Sequence, residues 1–593
     1  MADWHFSLHL GRDGALVEQP PLPGIRRRFE QDGAVYVLSG RIYYLEDLYQ
    51  SLGLAQQKTP DAALIRLYQT QKPEALSRLE GEFALAIGDR RRQRILLARD
   101  NLGSYPLYWT QDNRGFWVSS SLRFLAQETQ RAINGEFIGK FLCFSFAFTE
   151  LPFPLTYFEG IERVLPGQIL ELSLGRPPRL WAFPDLLDSL TPIADITPAE
   201  ASQGFKSLLD GAIGERLQFG AVGAHLSGGL DSSTVAHLAS QRLAPQPLTT
   251  LSLVYELPTL VQETDYIRLV LERATNLRAE LIGADSLLDF QWFERPLPEH
   301  DEPYAGLFHL AIETRLAERA SALGLTTVLT GCGAELVAEA NPYILADLLA
   351  RGQWRQVFTL TQQQALANNQ SFWSIFSQFA LFPNLPVFLR HAPGTLLNQG
   401  RGSWPNLRSF EIAPWIDPKF ARDCELFPFC QDLFHQIQHY PTEKSMDWFA
   451  LSCMAGNWAN WHLNNPLGIH VAQPFLDPRV IQFCWALPRE LRTSPGRRKP
   501  LLLAALKGDL PAPILNRKYK ANFNEPYWRG LNQNLSSLTR LVDQSSRVYG
   551  GAIFDPAILK DCLNQHAVGV GDIASGSHLV RSLSLLACGL LMD

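Results

Sequence analysis

The stretch Ser227-Gly228-Gly229-Leu230-Asp231-Ser232-Ser233 contains the residue types of an anion site. Its two glycines let the backbone come close to a charged ligand, and its three serines bring hydroxyl donors to the same loop. The apolar run Ala221 to Leu226 ahead of it reads as a buried strand, and Val235, Leu238 and Ala239 behind it recur at helical spacing. A strand, a glycine loop and a helix start together aim unpaired N–H groups and a positive dipole end at one point. Leu226 to Gly229 and Asp231 to Ser233 are therefore the expected cradle. Bare phosphate would repel Asp231, so its place in this loop implies a bridging cation such as magnesium. A second short strand, Thr326 to Thr330, runs into Gly331-Cys332-Gly333-Ala334-Glu335. Glycines at the C-terminal end of a strand mark where open α/β sheets bind ligands, which adds Thr330 and Gly331 to the candidate site.

The elements that must position these groups come from a chain of 593 residues, long enough for two to four domains. A composition of 46% hydrophobic and 19% charged residues is that of a soluble globular protein. The net charge of −6 gives no electrostatic footprint for nucleic acid, and Arg26 to Arg28 and Arg90 to Arg92 read as solvated turns. The start, MADWHFSLHL, lacks the basic and apolar regions of a signal peptide, and no apolar run is long enough for a membrane span. Eight cysteines without a CxxC pair fit reduced, cytoplasmic thiols.

The first 190 residues alternate short apolar runs with turns. Ala34 to Leu38 and Arg41 to Tyr44 read as strands, Phe83 to Ile87 and Arg94 to Ala98 as a hairpin, and Asp61 to Gln69 as a helix. The proline-rich run from Pro177 to Pro198 reads as a linker. Beyond it, Ala199 to Phe219 reads as a helix, Leu248 to Glu256 as a parallel strand, and Asn341 to Trp354 as the start of a helical region. The aromatic-rich stretch Phe372 to Leu389 reads either as helical core or as a wall for a hydrophobic peptide.

SGGLDSS lacks the GxxxxGK[ST] pattern of a Walker A loop. It resembles the pyrophosphate loop of ATP pyrophosphatases, which cleave ATP between the α and β phosphates. Arg78 to Trp109 resembles class II glutamine amidotransferase domains, and Phe158 to Leu172 resembles their closing strands. Together these stretches resemble the asparagine synthetase superfamily over nearly the whole chain. The fold this implies is α/β plus α+β. Residues 1–190 would form a β-rich amidotransferase-like domain, and residues 195–593 an ATP-pyrophosphatase domain, adenine nucleotide α-hydrolase-like, with a parallel sheet and a helical extension. ATP and Mg2+ are the implied cofactors. By the same resemblance, Leu253 or Val254 would offer backbone to adenine, and Glu335 would complete a metal site opposite Asp231. Pro474 to Asp477 matches the family's PFLD segment. Lys499, in RRKPLLLAALKGDLP, would face the adenylate and stabilise charge as an amine attacks. Glu263 is read equally as a nucleotide neighbour and as a helix N-terminal acid, and Arg517, Lys518 and Lys520 as a basic run that closes over phosphates or contacts an acidic substrate.

Departures from the family pattern narrow the expected reaction. A glutaminase of this class carries a cysteine after the initiator Met, whose freed amine activates the thiol. Here Ala2 stands there, and the first cysteine is Cys143. The family's NGEIYN, which supplies an oxyanion donor, is Ser39-Gly40-Arg41-Ile42-Tyr43-Tyr44. Cys332 replaces a glutamate near the incoming amine, Glu335 an aspartate, and Leu503 an arginine. No glutamine hydrolysis is expected. NPYILADLLARGQW resembles lasso peptide cyclases. The expected activity is ATP-dependent amide formation, as a macrolactam between a peptide's N-terminal amine and an Asp or Glu side chain. A peptide substrate, a leader-binding protein and a protease are the implied partners, with no nucleic acid and no membrane. The alternatives are an ammonia-dependent asparagine synthetase, a β-lactam-synthetase-like enzyme, and a non-catalytic binding protein.

Overall fold

The computed structural model describes residues 6–19, 26–55, 59–70, 72–144, 149–257, 263–293, 301–339, 341–368, 370–386, 412–438, 442–493, 498–517, 524–544, 553–571 and 573–589. Ala2, Lys518, Lys520 and positions 387–389 of the aromatic-rich stretch lie outside them.

Eleven strands build the N-terminal part: β1 (Ser7–Gly11), β2 (Leu16–Gln19), β3 (Arg26–Gln31), β4 (Ala34–Tyr43), β5 (Glu80–Asp89), β6 (Arg94–Arg99), β7 (Tyr108–Gln111), β8 (Gly115–Ser119), β9 (Ile161–Arg163), β10 (Gln168–Ser173) and β11 (Arg179–Ala182). They pair antiparallel in two sheets, ordered β2-β1-β8-β7-β9 and β11-β10-β6-β5-β4-β3. Alternation decides what each face meets. Val35, Val37, Ala84 and Ala86 pack with Leu8 and Val118 between the sheets. Their neighbours Tyr36, Leu38, Phe83 and Leu85 pack on the other side with Leu64 and Leu67 of helix Asp61–Gln69.

That helix and the β5–β6 hairpin stand where the sequence places them. Three expectations change. Ala34 to Leu38 and Arg41 to Tyr43 are one strand, in which Gly40, at φ +95°, keeps the pairing with β5 unbroken, and Tyr44 lies outside it in the left-handed region before helix Leu45–Ser51. Arg26 to Arg28 lie on the edge strand β3 rather than in a turn, with Arg27 held by Asp61 at 2.8 Å; charged side chains protect such an edge. The proline-rich run from Pro177 is not all linker, because Arg179–Ala182 adds β11 to the sheet.

The C-terminal part is built on five parallel strands: β12 (Val222–His225), β13 (Leu248–Val254), β14 (Leu277–Gly283), β15 (Thr327–Leu329) and β16 (His470–Ala472), ordered β14-β13-β12-β15-β16. Helix Pro198–Arg216 leads into β12. It starts at a capping box, in which Thr197 and Glu200 satisfy each other's backbone donors, with proline in its first turn. Beyond β16 the described elements are helices. The last, Ile573–Gly589, returns to the N-terminal part, where Leu583 and Leu586 share a core with Phe141 and Leu142. No helix among the described residues is long and apolar enough to cross a membrane.

Polar contacts join the two sheet systems. Arg41 of β4 donates to Thr327 Oγ1 at 2.7 Å and to the Thr326 carbonyl at 3.1 Å, with its guanidinium 4.6 Å from the Phe219 ring centre. Arg479 holds both oxygens of Glu80, at 2.7 and 2.8 Å. His470 is fully buried, with Nε2 at 2.6 Å from Glu82 and Nδ1 at 2.7 Å from the Tyr105 hydroxyl.

Candidate functional site

The strand order reverses once, between β12 and β15. From β12 the chain moves outward through β13 to β14, then returns to the other side of β12 as β15. The carboxyl ends of strands that flank such a reversal open a crevice with no crossover above it. The Ser227–Ser233 loop leaves β12 at that crevice, and Thr330–Gly331 leaves β15 beside it.

Both glycine positions are forced by close approach. A methyl on Gly331 would lie 2.6 Å from Ser232 N and 2.7 Å from the Asp231 carbonyl carbon, so only glycine lets the two strand ends meet. Gly228 has φ +74°, and a methyl there would lie 2.8 Å from Tyr266 Cβ. The fourteen-residue helix Leu230–Leu243 starts at Gly229 with no side-chain cap. Its first N–H groups are those that an anion would satisfy.

The serines divide their work. Ser232 Oγ accepts from Ser227 N at 3.1 Å, lies 3.0 Å from Ser227 Oγ and donates to the Gly229 carbonyl at 3.3 Å, so it shapes the loop. Ser233 is fully buried, and its Oγ has no hydrogen-bond partner. Leu226 is buried and donates its N–H to Leu251. The Val254 carbonyl accepts from Ala284 N, the residue after β14, at 2.9 Å. Thr330 donates its N–H to Ala472 at 3.0 Å.

Lys499 brings distant parts of the site together. Its Nζ lies 2.7 Å from both Asp231 oxygens and 3.7 Å from Glu335 Oε1. The Lys499 side chain is 6% exposed, and its backbone is left-handed, φ 53° and ψ 55°, just before helix Pro500–Ala505. A non-glycine residue in this conformation carries strain that surrounding structure must hold, and the following proline disfavours the helical alternative. Glu335 also meets Arg498 at 3.1 Å. Asp231 and Glu335 thus converge around a single cationic atom. Two hard carboxylates in this relation fit a divalent cation, with remaining ligands from water and phosphate oxygens. Among the described residues no group of three or more His, Cys, Asp or Glu side chains forms a metal cluster.

Glu263 and Arg517 form a second ion pair beside the loop. Glu263 is 7% exposed and takes two bonds of 2.5 Å from Arg517, whose guanidinium lies 4.1 Å from the Tyr266 ring centre. Glu263 makes no side-chain cap on the helix that it precedes. Sequence reasoning missed Arg498, although it stands beside Lys499 in the same basic run. It also missed the part that Arg41 plays; an arginine in place of the glutamate of NGEIYN was the available signal.

Two family models match the chain: "Asparagine synthase" over residues 204–588 and "Glutamine amidotransferase domain" over residues 27–178. Asparagine synthetase [glutamine-hydrolyzing] 3 of Bacillus subtilis is 22% identical over 543 residues, 87% of this chain and 80% of that protein. Amidase chry2 of Gibberella zeae is 26% identical over 566 residues, 86% of this chain and 80% of that protein. Asparagine synthetase [glutamine-hydrolyzing] 2 of B. subtilis is 27% identical over 233 residues, 37% of this chain and 31% of that protein. With the parallel sheet, its loop at the strand reversal and more than half the residues matched by one family model, the chain belongs to the asparagine synthase family.

Proposed function

We propose that the chain is an ATP-dependent ligase that forms an amide, releasing pyrophosphate and AMP. The observation that carries this reading is the meeting of Asp231, Glu335 and Lys499 at the crevice between β12 and β15. A substrate carboxylate oxygen attacks the α-phosphorus of ATP, the bond to the β-phosphate oxygen breaks, and pyrophosphate leaves. The N–H groups that open helix Leu230–Leu243 and the backbone at Gly228 and Gly229 hold the departing anion. Asp231 and Glu335 would hold magnesium, which supplies charge neutralisation for the phosphates. An amine nitrogen then attacks the acyl carbon, AMP leaves, and the amine gives up a proton to solvent. Lys499 is placed to meet charge on phosphate and acyl oxygen together.

Glutamine is not the nitrogen source in this reading. Arg41, in the stretch aligned with NGEIYN, spends its guanidinium on Thr327 and Thr326, and Cys143 is fully buried in helix Gly135–Cys143. Cys332, where a glutamate would face ammonia, also favours a different amine. We therefore favour an internal one: macrolactam formation between a peptide's N-terminal amine and an Asp or Glu side chain, with a leader-binding protein and a protease as partners. The printed names of these relatives, glutamine-hydrolyzing asparagine synthetases, support a second reading, asparagine synthesis, in which the departures at the glutaminase positions would leave ammonia as the nitrogen source. An ATP–pyrophosphate exchange assay with free aspartate and with acidic peptides tests both. Exchange with a peptide supports cyclisation and exchange with aspartate supports the second reading. Exchange with neither leaves a binding protein.

A further inference from the structure

The N-terminal domain reaches the candidate site through a continuous run of contacts. Glu82 of β5 accepts from Arg216 Nε at 3.1 Å and Nη2 at 2.7 Å. Arg216 ends helix Pro198–Arg216, is 1% exposed, and gives Nη1 to Asp477 Oδ2 at 3.0 Å. The Tyr44 hydroxyl donates to that same oxygen at 2.9 Å, while Asp477 Oδ1 accepts from Arg479 N at 3.1 Å. Leu476 precedes Asp477 in the turn Pro474–Leu476 and fills the space at Gly333: a methyl on Gly333 would lie 2.3 Å from Leu476 Cδ2. Gly333, at φ +87°, begins the helical turn that carries Glu335.

Each link has one good geometry. A guanidinium is a rigid fork, so Arg216 fixes the direction between Glu82 and Asp477 instead of merely neutralising them. Glu82, Arg216 and Asp477 are enclosed, and an unpaired charge there would be costly, so the links move together or not at all. Burial alone would raise the Glu82 carboxyl, but Arg216 and His470 hold it down to about 2.

Resting on the ligase reading above, we propose that Glu82 is a positioning residue: through Arg216 and Asp477 it holds Leu476 against Gly333 and so keeps Glu335 opposite Asp231. The N-terminal domain then serves catalysis as a brace.

The test uses the full chain. Glu82→Gln keeps the shape and removes the charge. It should lower kcat for pyrophosphate exchange by about 2- to 30-fold, the range of coupling carried between sites, with KM for the carboxylate within about twofold. A second readout needs no activity. Cys332 is exposed and adjoins Gly333, whereas Cys484 is buried. Alkylation followed peptide by peptide should change rate at Cys332 in Glu82→Gln and stay constant at Cys484. In a Leu476→Ala background the Glu82 change should add nothing further. Unchanged rates at Cys332, equal change at both cysteines, or additive effects in the double variant would each overturn the proposal. Should the parent chain show no exchange, the ligase reading falls and the Cys332 rates alone decide the brace.

Discussion

Two glycine-bearing stretches, one in each sheet system, hold their polar groups in opposite ways. Within β4, Gly40 is hemmed in: a methyl there would lie 2.1 Å from the Glu82 carbonyl and 2.5 Å from the Tyr105 ring. Its neighbour Arg41 leaves the domain to bond Thr327 and the Thr326 carbonyl. At the end of β12, Gly228 and Gly229 keep a loop followed by Asp231, whose carboxylate among the described residues is held by the tip of a lysine. The first stretch spends its polar groups on permanent structure. The second leaves them where a ligand can compete for them.

The comparison breaks most directly at Asp231. Asp231→Ala should lower pyrophosphate exchange by about 10²- to 10³-fold, and near-parental exchange would remove the cation role from this loop. Lys499→Ala should cost amide formation about 10²-fold and exchange much less, as measured by product and exchange rates side by side; equal losses would refute a role in the second step. On the other side of the comparison, Arg41→Met should destabilise the fold by about 1–3 kcal/mol in denaturant titration and leave exchange within about twofold, because it loses hydrogen bonds and no chemistry.

Acid should act through the joint between the sheets. Burial lowers the His470 imidazole below its ordinary 6.5, against the opposing pull of Glu82. The unfolded chain takes up that proton near 6.5 and the native one only at lower pH. Stability therefore falls as pH drops below 6.5, until the native imidazole is protonated as well. Glu82, held down to about 2 from 4.5, contributes stability that is present above 4.5 and lost toward pH 2. His470→Gln should flatten the upper part of this window in pH-dependent melts. The smallest expected effect is none at all: glutamine added to the purified protein should release no ammonia, and steady release would overturn the reading of the Gly40 stretch.

Much of this was legible in the sequence because it is local. Asp61–Gln69 is helical at the expected bounds, and the strand, loop and helix around SGGLDSS follow from glycine and hydrophobic spacing. What stayed hidden depends on long-range partners. Lys499 and Asp231 are 268 residues apart, and no pattern along the chain announces their bond. Ser233 looked like a loop hydroxyl, but its position in the first helical turn buries it. Arg179–Ala182 looked like linker because prolines flank it, and tertiary pairing overrode that signal.

The polar joint between the sheet systems also governs how the chain can be made. Arg479 follows Glu80 by 399 residues, which at about 5–20 residues per second is roughly 20 to 80 s of synthesis. During that interval Glu80 of the nascent N-terminal sandwich waits for its partner, while Glu82 and Arg41 wait only until Arg216 and Thr327, 134 and 286 residues away, have been made. An apolar docking face would be sticky for the whole delay. A charged one stays soluble until its partners emerge, so the same ion pairs that close the finished molecule protect the unfinished one from aggregation.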